Sequence, residues 1–200
     1  MAVHFIYLAS QSPRRRQLLE QLGVKYELLL PDAREDAEAI EAVIGQEAPA
    51  AYVKRVTHLK LDAALQRMHN RGLPPAPVLC SDTTVALGRT IYGKPAGESD
   101  AQRILTELSG RTHRVLTALS LGTHQHRLQT ISTSRVTFAP LTLSQIKDYV
   151  DSGEPMGKAG AYAVQGRAAS FISHISGSYT GIMGLPLFET AQLLSCLKTS

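Results

Sequence analysis

Short runs of apolar and β-branched residues alternate along the chain with longer stretches in which apolar residues recur every three or four positions. That is the pattern of strands interleaved with helices. Residues 4–9 read as a strand, and Ser12-Pro13 then opens a helix, with Ser as N-cap, Pro at the first helical position and Gly23 as terminator. Residues 26–30 read as a second strand, and the acidic stretch that follows (Asp32, Glu35, Asp36, Glu38, Glu41) reads as loop and the start of a helix. Residues 50–71 carry a helical face supplied by Tyr52, Val53, Val56, Leu59, Ala63 and Ala64, which Gly72-Leu73-Pro74-Pro75-Ala76-Pro77 ends.

Residues 78–87 are the strongest candidate for a central strand, and the polar trio Ser81-Asp82-Thr83 inside them is the first local oddity. A helix over 99–109 ends at Gly110. Residues 112–121 and 128–138 then form a hairpin around Gly122-Thr123-His124-Gln125. Thr142-Leu143-Ser144-Gln145 fits a capping box opening a helix to about Asp151. Seven glycines fall between 153 and 184, close to half of the fifteen in the chain, so that segment is built for tight backbone work. A last helix follows Leu185-Pro186 and ends near Leu197. No repeat or linker breaks the pattern, which predicts a mixed α/β fold in a single domain over residues 1–200.

Composition agrees with a globular chain: 200 residues, 44% hydrophobic and 19% charged. No apolar run approaches the ~18 residues of a membrane span, so no transmembrane helix is expected. Arg14-Arg15-Arg16 follows the first apolar stretch, the reverse of a secretory signal, so the expected location is cytoplasmic. Cys80 and Cys196 lie far apart with no Cys-x-x-Cys or Cys/His spacing, and both read as small buried hydrophobes rather than a disulfide or zinc ligands. The net charge of +4 suits a polyanion, but Arg14-Arg15-Arg16 is its only dense cluster, which puts small anions ahead of nucleic acid.

Several catalytic signatures fail. Gly153-Glu154-Pro155-Met156-Gly157-Lys158-Ala159 has the wrong spacing and no Ser/Thr for a P-loop, and there is no Gly-x-Ser-x-Gly elbow, His-Glu-x-x-His or dinucleotide fingerprint. His124 and His126 read as solvated turn residues.

What remains are polar residues in loops at strand ends. Ser10, Ser12, Arg14, Arg15 and Arg16 surround a helix N-terminus, where the dipole favours anions; they read either as a phosphate site or as an N-cap with a solvated basic face. Lys94 in Tyr92-Gly93-Lys94-Pro95 and Lys158 between Gly157 and Gly160 begin, beside Asp82 and Arg15, to resemble a triphosphate clamp. Asp82 in an apolar strand is either a structural carboxylate capping a turn or a metal ligand or general base. Glu35 and Lys60 sit in ordinary charged sequence, where a solvated role is the default.

Taken in order, Leu8-Ala9-Ser10-Gln11-Ser12-Pro13-Arg14-Arg15, Ser81-Asp82-Thr83, Gly93-Lys94-Pro95, Leu108-Ser109-Gly110-Arg111-Thr112-His113, Gly153-Glu154-Pro155, Lys158-Ala159-Gly160-Ala161-Tyr162, Val164-Gln165-Gly166 and Gly184-Leu185-Pro186-Leu187 make a highly specific set. With it, residues 5–195 resemble the Maf family of nucleotide pyrophosphatases. The resemblance implies an α/β fold with a mixed twisted sheet and flanking helices in two lobes around a central cleft, similar to the inosine triphosphatase-like hydrolases. It implies cleavage of a nucleoside triphosphate to monophosphate and pyrophosphate with a divalent cation, Mg²⁺ or Mn²⁺. Carried over by position, Asp82 and Glu35 would be the catalytic and metal-side carboxylates, and Ser10, Ser12, Arg15, Lys60, Lys94 and Lys158 the phosphate-side groups. Arg14, Thr83 and Gln165 match the dTTP/UTP type, where the 7-methyl-GTP type has Trp, Gln and Glu. A Gln amide offers one donor and one acceptor, the complement of the O4 and N3–H edge of uracil or thymine. Arg34, where an acidic residue is common, and Cys80-Ser81, where Gly-Ala is common, depart from the family. The partner expected is therefore a small nucleotide, with nucleic acid and membrane disfavoured and a homodimer compatible with the resemblance. The rival readings are the same cleavage on another or modified nucleotide, and a non-catalytic nucleic-acid-binding or division-inhibiting protein.

Overall fold

The computed structural model describes residues 5–32, 35 and 39–198. Its organising element is the strand β3 (Val78–Leu87), whose positions 78–82 are all buried. β1 (Ile6–Leu8) pairs parallel to the start of β3, at Val78 and Leu79, and to β2 (Tyr26–Leu28) on its other side. β4 (Thr90–Tyr92) turns back antiparallel onto the end of β3, at Val85–Leu87. On the opposite edge β5 (Thr112–Gly122) pairs with β3 without interruption from Val78 to Ala86. β6 (Arg127–Phe138) and β7 (Ile172–Ser176) complete a seven-stranded sheet in the order β2-β1-β3-β5-β6-β7.

One consequence of this register positions the site. Between the pairing with β1 and the pairing with β4, residues 80–84 of β3 have no strand on that edge among the described residues. Side chains from both faces of the strand become accessible there, because alternate residues point to opposite faces.

The faces are covered differently. The long helix α2 (Pro49–Asn70) lies along one face: Leu61, Ala64, Leu65 and Met68 pack on Tyr7, Val78 and Cys80, while Tyr52, Val53 and Val56 pack on Ala86, Leu116 and Ala118. The other face is covered in two separate patches. Near β1, α1 (Pro13–Gln21) and α6 (Leu187–Lys198) bury Leu18, Leu19 and Leu193 with Leu79 and Leu119. Near β4, α3 (Glu98–Leu108) and α4 (Leu143–Asp151) bury Ile104, Leu105, Ile146 and Tyr149 with Val85, Val115 and Phe138. The chain is thus two lobes on one sheet, parted at the open edge of β3.

Local chemistry explains the element ends. Ser12 caps α1, accepting from the Arg15 N–H, with Pro13 in the first turn. Thr142 and Gln145 form the reciprocal capping box of α4. The short helix α5 (Tyr179–Ile182) is capped by Ser178, which accepts from the Gly181 N–H.

Several expectations change. The strand expected over 26–30 ends at Leu28. Leu59, assigned to the apolar face of α2, is 38% exposed, and Leu61, Leu65 and Met68 carry that face instead. β4 and β7 were not expected: both are short, and β7 sets its two isoleucines three positions apart, which breaks the alternation that signals a strand. The acidic stretch holds one helical turn, Ala39–Glu41, rather than the start of α2. Cys80 is buried but Cys196 is exposed. His4, Arg34, Asp36 and Glu38 lie outside the described residues.

Candidate active site

The open edge of β3 forms one wall of a cavity of about 550 Å³. Every residue that the family resemblance assigns to the site lines it, Ser10, Ser12, Arg14 and Arg15 from the β1–α1 turn, Lys60 from α2, Asp82 and Thr83 from β3, Lys94 after β4, Lys158 and Gln165 from the glycine-rich segment, and Glu35, whereas Arg16 does not.

On the α2 face the charges form an alternating chain. Lys60 Nζ donates to Asp82 Oδ1 at 2.6 Å and to Glu41 Oε1 at 2.7 Å, and Lys94 Nζ donates to Glu41 Oε2 at 3.0 Å. Burial works against the charge on Lys60, but Asp82 and Glu41 outweigh it and leave its pKa raised. Burial likewise opposes ionisation of Glu41, and the two lysines more than offset it, so its pKa is lowered. The Tyr52 hydroxyl donates to the Glu41 main-chain carbonyl at 2.9 Å and fixes that turn to α2. Burial, with Asp82 and Glu41 nearby, pushes the Tyr52 phenol up to about 12.

Glu35 stands apart from this chain. Arg67 Nε reaches its two oxygens at 2.8 and 3.0 Å, Arg67 Nη2 adds a bond of 2.5 Å, and Arg67 Nη1 donates to the Leu29 carbonyl at 2.9 Å. The Arg67 hydrogen bonds hold the Glu35 carboxyl below the usual carboxylate range.

On the opposite face, Arg15 is fastened by neutral acceptors. Its Nε donates to the Gly184 carbonyl at 2.8 Å, Nη1 to Ser10 Oγ at 3.2 Å, and Nη2 reaches Thr83 Oγ1 at 3.5 Å. The Ser81 hydroxyl donates to the same Gly184 carbonyl at 2.8 Å, and Thr83 Oγ1 lies 2.9 Å from Thr117 Oγ1, which donates to Gly181 O at 2.7 Å. Among the described residues the Arg15 guanidinium is thus held by neutral acceptors and by no carboxylate in direct contact, although the charges of Asp82 and Glu41 reach it. Lys158 lines the same cavity with, among the described residues, a weak bond of 3.3 Å to the Met156 carbonyl, and burial followed by the charge of Arg14 lowers its pKa. Cations set this way favour an anion with several oxygens.

A divalent cation needs hard oxygen ligands. Asp82 fits: it is 7% exposed, and its Oδ2 accepts no hydrogen bond among the described residues. Glu41 is the carboxylate joined to Asp82 through Lys60, whereas both oxygens of Glu35 are held by Arg67. Among the described residues no three His, Cys, Asp or Glu side chains gather at one point, so the oxygen open to such an ion is that of Asp82.

Sequence reasoning passed over Glu41 and Arg67. Glu41 lay unresolved among five neighbouring acids. Arg67, 7% exposed, follows Lys60 by two helical turns on the same side of α2, so a pair of cations seven apart on a buried face was the available signal.

Fold and cleft together define a mixed α/β protein whose central cavity gathers arginine and lysine side chains around a buried carboxylate. A family model described as Maf-like protein matches residues 5–197, and the chain belongs to that family. The chain is 73% identical over 190 residues to a protein from Albidiferax ferrireducens named dTTP/UTP pyrophosphatase, with 95% of each chain covered. It is 68% identical to one of the same name from a Polaromonas species (96% of each) and 63% identical to one from Cupriavidus metallidurans (94% of each). Among solved structures it is similar to a nucleoside-triphosphatase / dITP/XTP pyrophosphatase from Mycobacterium abscessus, with TM-score 0.42 and 15% identity over 68% of this chain and 75% of that one. The Staphylococcus aureus Ham1 protein matches with TM-score 0.42 and 12% identity over 83% of this chain and 90% of that one. No described helix is long and apolar enough to cross a membrane.

Proposed function

We propose that this chain is a nucleoside triphosphate pyrophosphatase that hydrolyses UTP and dTTP, and analogues such as 5-methyl-UTP, as a cytoplasmic housekeeping enzyme of the nucleotide pool. The observation that carries the reading is the division of labour in one cavity. Arg14, Arg15 and Lys158 line it without an ion pair among the described residues, opposite an Asp82 oxygen that is likewise unengaged. The names of the relatives support the same activity.

In this reading the triphosphate lies across the open edge of β3. Asp82 accepts a proton from water as its oxygen bonds to the α-phosphorus, and the bond from that phosphorus to the α–β bridging oxygen breaks, releasing pyrophosphate. Lys60, Lys94, Lys158 and Arg15 neutralise the charge that develops on the leaving group, with Ser10 and Ser12 holding the α1 N-terminus in place. A divalent cation, Mg²⁺ or Mn²⁺, would be held by Asp82 with Glu41 or Glu35 nearby and would supply Lewis-acid neutralisation of the triphosphate oxygens. Arg14, Thr83 and Gln165 would select the base, Gln165 by pairing its amide with the uracil or thymine edge.

The test is a metal-supplemented assay against the common nucleoside triphosphates plus 5-methyl-UTP and 7-methyl-GTP, with products separated by chromatography. UMP or dTMP with pyrophosphate is the expected result. Nucleoside diphosphate with phosphate would overturn the cleavage position, and no turnover would overturn the enzyme reading.

A further inference from the structure

Glu154 touches neither the charge chain nor the wall of the cavity, yet its carboxylate is fully committed. Oε1 accepts from the Tyr149 hydroxyl at 2.9 Å, and Oε2 accepts from the Arg167 main-chain N–H at 3.0 Å. Its own N–H donates to Ser152 Oγ at 3.3 Å. Among the described residues it forms no salt bridge with the Arg167 guanidinium; the bond goes to the backbone, so the carboxylate holds the chain there while its charge also reaches Lys158, a contribution that Glu154→Gln removes without removing the acceptor.

Both ends of this bridge matter. Tyr149 is 1% exposed on α4 and stacks edge-on against Phe171, ring centres 5.2 Å apart, so the phenol is a fixed post in the lobe near β4. Arg167 opens the tight turn over Arg167–Phe171, where the first N–H groups have no partner within the turn. Immediately before it, the Gly166 N–H donates to the Ala163 carbonyl at 3.0 Å. Gln165 is therefore at the apex of a bend closed on one side by Ala163 and on the other by Glu154. A side chain at position 166 would overlap the Glu154 carboxylate, which explains the glycine there.

We propose that Glu154 is a positioning residue for base recognition: its carboxylate ties the bend at 163–167 to Tyr149 and so aims Gln165 into the cavity. The proposal rests on the reading of Gln165 as the group that pairs with the base. It also gives the Gly153-Glu154-Pro155 motif a role distinct from that of Lys158, four residues on.

The experiment compares kcat and KM for UTP and CTP, two pyrimidines that differ only at the edge Gln165 would read. Losing one oriented hydrogen bond is worth about tenfold in selection. Glu154→Ala is expected to lower the UTP:CTP ratio of kcat/KM about tenfold through the KM for UTP, with kcat held within a few-fold. Glu154→Gln keeps an acceptor for the Arg167 N–H and should restore the ratio. Gln165→Ala should lose the ratio as Glu154→Ala does, and the double variant should lose no more than either. An unchanged ratio in Glu154→Ala beside a lost one in Gln165→Ala overturns this proposal and leaves the base-reading role standing. An unchanged ratio in Gln165→Ala overturns both. Should Glu154→Ala fail to fold, Tyr149→Phe, which removes only the bridging hydroxyl, decides: a reduced ratio supports the proposal and an unchanged one refutes it.

Discussion

Lowering the pH from 7 toward 4 asks His113, 1% exposed on β5, to accept a proton in an apolar place. Its ring packs edge-on against Phe138 and Tyr162 at 5.0 and 5.4 Å, its Nε2 lies 2.9 Å from the Tyr162 hydroxyl, and its buried Nδ1 has no well-aligned partner among the described residues. Burial pushes the imidazole down from 6.5 to about 4, which the nearby Arg111 main chain offsets only in part. In the unfolded chain the ring keeps its ordinary value near 6.5. Between those two values the unfolded state holds a proton that the folded state refuses, so stability falls as the pH drops through that window and the loss levels off below it. At ~1.36 kcal/mol per pH unit, the window is worth about 3 kcal/mol, a large part of the ~5–15 kcal/mol that holds a domain together.

The assay is urea unfolding followed by circular dichroism, since the chain has no Trp, at intervals from pH 7 to 4 for wild type and His113→Gln. The amide can still bond the Tyr162 hydroxyl but does not titrate. Glu35 and Glu41, held ionised by Arg67 and by Lys60 and Lys94, also lose those ion pairs as they protonate in acid, but they do so in both proteins and cancel in the difference. The stability advantage of wild type over the variant should shrink by about 3 kcal/mol between pH 7 and pH 4. Two curves that run parallel across the window would refute the assignment of a neutral, buried His113.

Other substitutions test other parts of the fold and site. Asp82→Asn should lower turnover of UTP by roughly 10²–10⁴-fold with the fold kept, as circular dichroism would show; wild-type rates would remove Asp82 from the role of base. Gly160→Ala forces a φ of 71° on a side-chain-bearing residue and sets its Cβ 2.6 Å from Val85 Cγ2, so a loss of about 2–4 kcal/mol in urea unfolding is expected, and no loss would refute that packing. Arg67→Ala strands Glu35 and the Leu29 carbonyl together and should cost about 3 kcal/mol or more, while Glu35→Gln, which keeps a hydrogen-bonding partner, should cost distinctly less. Equal losses from the two would mean that the pair is no more than a surface contact.

Chain-local signals were readable and long-range ones were not. The cap at Ser12 and the capping box at Thr142 follow from residues within four positions of one another and β3 from one unbroken segment of ten residues, and the structure keeps them. Asp82 stood out because a carboxylate in an apolar strand is locally anomalous. Lys60 and Glu35 did not, since what distinguishes them is a partner elsewhere: Lys60 meets Asp82 across 22 positions and Arg67 meets Glu35 across 32. The edge strand β4 depends on the register of β3 rather than on its own three residues.

The gap in the sheet also explains why one strand can serve two kinds of chemistry. A strand paired on both edges would show the cavity only one face, and Asp82 and Thr83, being consecutive, would be divided between the cavity and the core. Because β1 pairs with β3 only as far as Leu79 and β4 pairs with it only from Val85, the strand meets the cavity edge-on. Asp82 then faces Lys60 of α2, while Thr83 and Ser81 face Arg15 and the carbonyls of 181–184. Extending β1 by two paired residues would close the cavity, and Ser10, two residues past the end of β1 and accepting from both Arg15 and the Ser12 N–H, is the residue that turns the chain away. The position of the site is thus set by the length of a three-residue strand, and the glycine-rich segment needs only to bring Lys158, Gln165 and the Gly184 carbonyl to an opening the sheet has already made.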